Sequence, residues 1–427
     1  MRGFSRRAWL FVREHAVLLI AALAATTSMV AVAPDEAYWG YFDWRTLECL
    51  FCVLAVASAF RLMGAFDHGA RAIIGRFRTP SALALALVLT TAALSMVATN
   101  DMALIMMLPL SAATLMAAGQ ARILPAVFAL QGIAANLCGM IMPFGNPQNL
   151  YLYSHYDLGL QDFLGTMALP FAVSTAGVIA CTLTLTRAGS EEESSRKPQA
   201  STERDGAAAA SAVAGNARGA GTDKAASPDS PAAVARKSTS LGYLSRRRLV
   251  AYLALFLLTI LTVFGVVPSW AATLVVIAVL AATDRRALAS VDYPLLLTFA
   301  CFFVFAGNLA RLPELNAWLG ALMADHGLLA SAGLSQIISN VPAAVLLSHF
   351  TSAWQPLLVG VNIGGAGTLV GSLASLITLQ HFTSVRKIFP QARTLPELST
   401  ARFLGLFATL NFAFLALLLV VCSLGVQ

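Results

Sequence analysis

Long apolar runs, each about as long as a membrane-spanning helix, follow one another along most of this chain. A transmembrane helix needs about 20 mostly apolar residues. Runs near that length lie at 16–33, 45–64, 80–98, 101–118, 124–142, 163–186, 248–265, 269–283, 293–310, 354–380 and 402–424. Only 11% of the residues are charged, against about 25% in soluble domains. Lipid must therefore surround much of the chain, and we predict an all-α polytopic membrane protein with about ten or eleven transmembrane helices.

One segment, residues 188–245, has a different composition from the rest. It is rich in Ala, Ser, Gly and charged residues and has no apolar periodicity. Such a segment cannot bury enough apolar surface to offset the entropy of ordering it. We predict a disordered cytoplasmic linker that separates an N-terminal membrane repeat, 1–187, from a C-terminal membrane repeat, 246–427.

Several functional classes are disfavoured by the sequence. The net charge of +7 would suggest nucleic-acid binding in a soluble protein, but here the basic residues lie in loops, where they orient membrane helices. The chain has no G-x-x-x-x-G-K-[ST] motif, no nucleophile elbow and no cluster of metal ligands. We therefore expect no nucleic-acid partner, no enzymatic activity and no cofactor apart from a coupling ion.

The positions of Arg and Lys predict how the chain is oriented in a bacterial inner membrane. The basic segments, which we place in the cytoplasm, are the N-terminus, loop 61–78, the end of the linker, loop 284–287 and loop 381–396. The remaining loops are acidic, aromatic or nearly neutral. The orientation is consistent only if the helical pairs 80–118 and 327–350 are re-entrant hairpins.

The two halves of the chain share a pattern of polar residues. The segment ATNDMAL at 98–104 resembles ISNVPAA at 338–344, and ANLCGMIMPFGNPQNL at 135–150 aligns without a gap with VNIGGAGTLVGSLASL at 361–376. Asn and Gly recur in the same order, whereas the charge rule orients the halves oppositely. This indicates two inverted repeats, an arrangement that places the substrate site at the repeat interface.

Each aligned segment contains a stretch that cannot continue a helix: Pro143–Asn149 inside the run 124–152, and Gly364–Thr368 inside the run 354–380. Such breaks are tolerated at bilayer depth only where a ligand, an ion or water satisfies the backbone. Freed carbonyls can coordinate a cation such as sodium, and free amides at a helix start can bind an anion. From the hairpin tips and breaks, the candidate site residues are Thr99, Asn100, Asn136, Asn149, Ser339, Asn340, Asn362, Gly365, Gly367 and Thr368.

Asp101 is an acid within an apolar run, at the tip of the first hairpin. Charge within a membrane is costly and usually functional, so Asp101 is a candidate to bind a cation or carry a proton. Capping of the helix that starts at Met102 is an equal alternative, and the second half has Val341 at this position. No Lys or Arg lies within the site segments, so an anion would be held by dipoles, hydroxyls, amides and bound cations.

The chain resembles the ion transporter superfamily, which includes citrate-type and divalent anion symporters, arsenite permeases and some sodium/proton antiporters. The residues that carry the resemblance are TND at 99–101, PFGNPQNL at 143–150, SNVPAA at 339–344 and NIGGAGTLVGSLASLI at 362–377. The resemblance implies two re-entrant hairpins, a scaffold, a moving transport part and a homodimer. It further implies that the two tips touch substrate or sodium and that Gly145, Asn146, Gly371 and Ser372 complete the two binding sites. The sodium ligands would come from Asn100, Gly145, Asn340 and Gly371.

The predicted function is secondary active transport of a small anion, a carboxylate or an inorganic oxyanion, coupled to Na⁺ or H⁺ by alternating access. The tips depart from the Ser-Asn-Thr of the dicarboxylate branch, and Asp101 is closer to the arsenite permease and antiporter branches. Arsenite or antimonite efflux and Na⁺/H⁺ antiport are therefore the alternatives. A membrane scaffold or sensor that transports nothing is the alternative from another class.

Overall fold

The computed structural model describes residues 16–64, 79–196, 246–389 and 395–425, together with positions 70, 76, 77 and 392. These residues are almost entirely helical and include no strand. The predicted all-α class is therefore confirmed. Most of the predicted linker, 197–245, lies outside the described residues.

Most helices coincide with the apolar runs of the sequence, whereas Arg285–Ala289 and the start of Pro313–Ile338 lie between those runs. In the first half they are α1 Ala16–Ala31, α2 Trp44–Met63, α3 Pro80–Val97, α4 Asn100–Ala117, α5 Leu124–Gly139, α6 Pro147–His155 and α7 Leu160–Arg196. In the second half they are α8 Arg246–Val263, α9 Ser269–Thr283, α10 Arg285–Ala289, α11 Tyr293–Ala310, α12 Pro313–Ile338, α13 Asn340–Leu347, α14 Trp354–Ile363, α15 Leu373–Ile388 and α16 Thr400–Gly425.

Within the described ranges, seven helical segments are long and apolar enough to cross a bilayer. α1 and α9 are also apolar but have 16 and 15 residues. The apolar segments 327–350 and 354–380 are each divided between two helices. The chain is a multi-pass membrane protein, as predicted. The number of crossings, about ten or eleven, stays a prediction.

α7 continues to Arg196, past the predicted start of the linker at residue 188. Ala188 and the three glutamates at 191–193 have high helix propensity, so the helix extends beyond its apolar part. The division of the chain into two membrane repeats and a linker stays a prediction.

Both predicted breaks interrupt a helix. α5 ends at Gly139 and α6 starts at Pro147, while α14 ends at Ile363 and α15 starts at Leu373. The first break ends earlier than the sequence suggested, because Pro147 is already the first residue of α6. Proline is favoured there, where its missing amide would have no helical partner.

The two hairpin tips have the same unusual backbone. Thr99, between α3 and α4, has φ +25°, and Ser339, between α12 and α13, has φ +76°. Non-glycine residues rarely adopt this region, so each tip is held by its surroundings. A kink at His326 divides α12 next to the predicted start of the second hairpin. Re-entry of the pairs 80–118 and 327–350 stays a prediction, since α3 and α4 are each 18 residues long.

The two halves pack through their hairpins and broken helices. α5 is buried along its whole length, and it contacts α3, α4 and α7 of its own half and α15 and α16 of the other. α6 contacts α13 and α14, and α1 lies along α11. The breaks and tips of the two halves therefore meet in the interior of the protein.

Candidate functional site

A cavity of about 380 Å³ lies between the two halves. Its polar lining consists of Asn100, Asp101, Gln148, Asp292, Thr298, Ser339, Asn340 and Ser372. Apolar side chains such as Ile337, Val341 and Phe302 form most of the remaining wall. The cavity thus contains both hairpin tips and the residues that follow both breaks.

Among the helices that begin at this cavity are the four that follow a tip or a break. The lining includes Asn100 at the start of α4, Pro147 at the start of α6, Asn340 at the start of α13 and Leu373 at the start of α15. The first amides of a helix lack intrahelical partners, and the helix dipole gives its N-terminus a partial positive charge. The repeated pattern of tip and break therefore directs four positive helix ends at one space.

The two tips are stabilised in the same way. Asn100 Oδ1 accepts a hydrogen bond from the Asp101 amide at 2.9 Å, and Asn340 Oδ1 accepts one from the Val341 amide at 2.9 Å. Both asparagines are buried, at 4% and 2% exposed. The Asn340 amide donates to the Gly371 carbonyl at 3.0 Å, which joins the second tip to the second break.

Beside the cavity, five buried side chains form an amide cluster, which consists of Asn136, Asn146, Gln148, Asn149 and Asn362. Of these, Gln148 also lines the cavity. Asn362 Nδ2 donates to Asn149 Oδ1 at 2.6 Å, and Asn362 Oδ1 accepts from Gln148 Nε2 at 3.3 Å and Asn146 Nδ2 at 3.4 Å. The side chain at the end of α14 therefore binds the first break of the opposite half. The amide cluster connects the two breaks directly.

Glycines allow the close packing of the breaks. A Cβ atom on Gly145 would collide with the carbonyl oxygen of Gly139, and one on Gly365 would collide with the side chain of Asn136. Gly367 has φ +112°, a conformation that glycine adopts at little cost. Side chains larger than hydrogen are excluded from these three positions.

Gln336 of α12 holds the second break together. Its Nε2 donates to the carbonyls of Gly364 at 2.6 Å and Ala366 at 3.0 Å, and its Oε1 accepts from the Thr368 amide at 2.8 Å. Thr368 Oγ1 in turn donates to the Gln336 carbonyl at 2.9 Å. One side chain thus satisfies three backbone groups that the break leaves without helical partners, as burial in a membrane requires.

Several buried polar atoms of the site have no hydrogen-bond partner within the described part of the chain. They are Asp101 Oδ1, Asn136 Nδ2, Asn146 Oδ1, Gln148 Oε1 and Asn340 Nδ2. An unsatisfied buried polar atom costs about 1–3 kcal/mol. Their grouping at the cavity and in the amide cluster is the pattern expected of a site that binds a polar ligand or water.

The predicted site residues fall into two groups. Asn100, Asp101, Ser339, Asn340 and Ser372 line the cavity. The others, Thr99, Asn136, Gly145, Asn146, Asn149, Asn362, Gly365, Gly367, Thr368 and Gly371, lie in the tips, in the breaks and in the amide cluster. Of the predicted sodium ligands, Asn340 and Gly371 touch, whereas Gly145 packs against Gly139 and Ser95.

The sequence reasoning missed four residues of the site, which are Gln148, Asp292, Thr298 and Gln336. Gln148 stands within the PFGNPQNL segment, so its position beside Asn146 and Asn149 was a usable signal. Asp292 caps α11 as Asp43 caps α2, but nothing in the sequence places Asp292 at the cavity. Gln336 precedes the second tip by three residues, and its contact with the break depends on tertiary packing. Among the described residues, no group of three or more His, Cys, Asp or Glu side chains could hold a metal ion.

Comparison with known proteins shows the family. Residues 8–358 match the model of the citrate transporter family CitMHS. Two relatives are similar over most of their length. The uncharacterized transporter MJ0456 of Methanocaldococcus jannaschii is 28% identical over 345 residues, which cover 79% of this chain and 81% of the relative. The inner membrane protein YbiR of Escherichia coli is 29% identical over 374 residues, which cover 85% and 86%.

The resemblance drawn from the sequence motifs and the family match agree, and the multi-pass helical fold agrees with both. The family match covers most of the chain, including both hairpin tips and the first break. This chain is a membrane transporter that belongs to the citrate transporter family.

Proposed function

We propose that this protein is a secondary active transporter that moves a small anion across the inner membrane by alternating access. The anion is a carboxylate or an inorganic oxyanion, and its movement is coupled to Na⁺ or H⁺. The observation that carries the proposal is that the four helices that follow a tip or a break, two from each half, all begin at one cavity.

The cavity is suited to an anion because its lining offers uncharged hydrogen-bond donors. Amides at helix N-termini bind carboxylates, phosphates and sulfates without a basic side chain. Asn340 Nδ2 is a buried donor without a partner in the described residues, at the edge of this cavity. None of the described lining residues is Lys, Arg or His, so the helix dipoles, the hydroxyls and the amide side chains would provide the recognition.

The arrangement of the two halves supports alternating access. Each half contributes to the cavity one tip and the start of the helix that follows its break. Transporters built from repeats change access by moving one part against another around such a site. Val17 at the start of α1 and Asp292 at the start of α11 also line the cavity. The charge rule places both helix ends near the cytoplasm, so we expect the cavity to be reached from that side.

Transport by purified protein in proteoliposomes tests the proposal. Citrate is the first substrate to measure, because the matching family is named for it. Succinate, sulfate and arsenite complete the series, each with a sodium gradient, a pH gradient or neither. We expect uptake of one of these anions to depend on one of the gradients.

A matched pair of variants links the transport to the cavity. Asn340→Ala should lower the initial rate about tenfold, because it removes hydrogen bonds worth about 1–1.5 kcal/mol at the tip. Asn411→Ala removes another buried asparagine, whose Nδ2 donates to the Phe407 carbonyl of its own helix, and should transport normally. Equal transport rates in Asn340→Ala and Asn411→Ala would show that the cavity is not part of the transport pathway.

Arsenite or antimonite efflux and Na⁺/H⁺ antiport form the second candidate, favoured by one observation. Asp101 lies at the cavity with a buried carboxylate oxygen that has no partner in the described residues, as a proton or cation carrier requires. Antiport predicts proton movement in vesicles given sodium alone. Anion transport predicts none until the anion is added.

A further inference from the structure

The cavity follows one face of α11. Leu295, Thr298, Phe302 and Phe305 line it, and residues at this spacing lie on the same side of a helix. Asp292, which precedes the helix, lines it as well. At a rise of about 1.5 Å per residue, the lining from Asp292 to Phe305 extends for about 20 Å along the helix. The cavity is therefore elongated, and its volume of about 380 Å³ is in the range of pockets that hold organic ligands.

The second hairpin adds an apolar wall that the first hairpin lacks. Ile337 precedes the second tip, and Val341 and Leu346 follow it on α13, which packs against α11. The first hairpin contributes only Asn100 and Asp101 to the described lining. Val341 stands where the first tip has Asp101, so the second tip combines uncharged donors with apolar side chains.

Part of this apolar wall lies inside the protein. Phe302 and Leu346 are each 8% exposed, so neither side chain belongs to the lipid-facing surface. An inorganic oxyanion is too small to fill the cavity and would leave water against both side chains. A ligand with an apolar chain or ring would displace that water, and the burial of apolar surface is favourable.

The charge of the lining limits how many negative groups a ligand can carry. Asp101 and Asp292 line the cavity, and its described lining has no Lys, Arg or His. Like charges repel more strongly where water is excluded, so each further carboxylate of a ligand such as citrate would add an unfavourable interaction. A single carboxylate can lie at the second tip, which has no acid and where Asn340 Nδ2 is a buried donor with no partner in the described residues.

We propose that the substrate is an amphipathic monocarboxylate, whose carboxylate binds at the second tip and whose apolar chain or ring lies along α11 against Phe302. The inference rests on the proposed function and narrows its anion to one chemical class. The apolar wall selects for the body of the substrate, and the two acids select against a second negative charge.

Thermal shift of the purified protein in detergent, with the sodium salts of acetate, butyrate and hexanoate at equal ionic strength, tests the substrate class without a gradient. We expect the apparent affinity to rise about threefold for each added methylene group, as the burial of a methylene group predicts. Hexylammonium chloride carries a similar chain with a positive charge and should not stabilise the protein.

A matched pair of variants locates the chain. Phe302→Ala should weaken the binding of hexanoate about tenfold more than that of acetate, because only the longer chain reaches the ring. Phe412→Ala removes the same ring from α16, where it is 49% exposed, and should keep the wild-type series. Val341→Thr, which places a hydroxyl in the apolar wall, should also weaken hexanoate more than acetate, and it decides if Phe302→Ala does not fold.

Equal affinities for acetate and hexanoate would overturn the apolar site, as would a chain-length dependence that is the same in Phe302→Ala and Phe412→Ala, since the chain would then bind detergent or the lipid-facing surface. Stabilisation by hexylammonium as strong as that by hexanoate would overturn the carboxylate end. Tighter binding and gradient-driven uptake of citrate or sulfate would refute the amphipathic substrate and leave the proposed function intact. Hexanoate binding at Phe302 without gradient-driven uptake of any tested anion would do the reverse.

Discussion

At the scale of single residues, the site is built from neutral amides and glycines in place of charged side chains. Asn362 joins the two breaks through hydrogen bonds to Asn149, Asn146 and Gln148. Such bonds are effective in a buried place because an unmade bond there is costly. The sequence identified the asparagines and glycines, since matched polar residues in apolar runs are conspicuous, but it could not show which of them face the cavity.

Gly145→Ala should destabilise the protein and abolish transport. A Cβ atom at this position would meet the carbonyl oxygen of Gly139, which is backbone and cannot rotate away. Overpacking of this kind costs about 1–3 kcal/mol, which should appear as a lower melting temperature in detergent. Gly405→Ala in α16 is the control, because no atom lies within 4 Å of its added Cβ. An unchanged melting temperature for Gly145→Ala would contradict the packing described for the first break.

At the scale of elements, the sequence predicted the helices well and their tertiary partners poorly. The predicted runs 269–283 and 293–310 coincide with α9 and α11, because a bilayer requires long apolar segments and loops interrupt them with charge and proline. The role of Gln336 was not predictable. It lies 28 residues before the Gly364 carbonyl that it binds, and only the fold of the second hairpin against α14 brings them together.

Gln336→Ala should loosen the second break. It would leave the carbonyls of Gly364 and Ala366 and the amide of Thr368 without their side-chain partner. At about 1–3 kcal/mol for each unsatisfied group, we expect a large fall in transport and faster hydrogen exchange of amides in 364–372. Gln380→Ala, on the exposed face of α15, should change neither quantity. Unchanged exchange in Gln336→Ala would show that the break is held by other contacts.

At the scale of the whole molecule, contacts between loops agree with the predicted topology. Arg311 and Asp35 form an ion pair at 2.8 Å, and Arg45 and Asp157 form one at 2.9 Å. The guanidinium of Arg311 holds the pKa of the Asp35 carboxyl below its usual value. Both pairs join regions that the charge rule places outside the cytoplasm. The contacts show that these regions share a face of the molecule, and which face meets the cytoplasm stays a prediction.

The predicted inversion of the two halves can be tested with two equivalent positions. Glu36 and Arg285 are both exposed, and each stands seven residues before the aspartate that caps α2 or α11. If the halves are inverted, these positions lie on opposite sides of the membrane. In intact cells with the outer membrane made permeable, an impermeant maleimide should label Glu36→Cys and not Arg285→Cys, and in inside-out vesicles the result should reverse. The unsubstituted protein gives the background from the native cysteines, which are buried or half-buried. Labelling of both variants from the same side would mean that the halves run in the same direction. An inverted repeat could then not explain why the four helices that follow a tip or a break begin at one cavity.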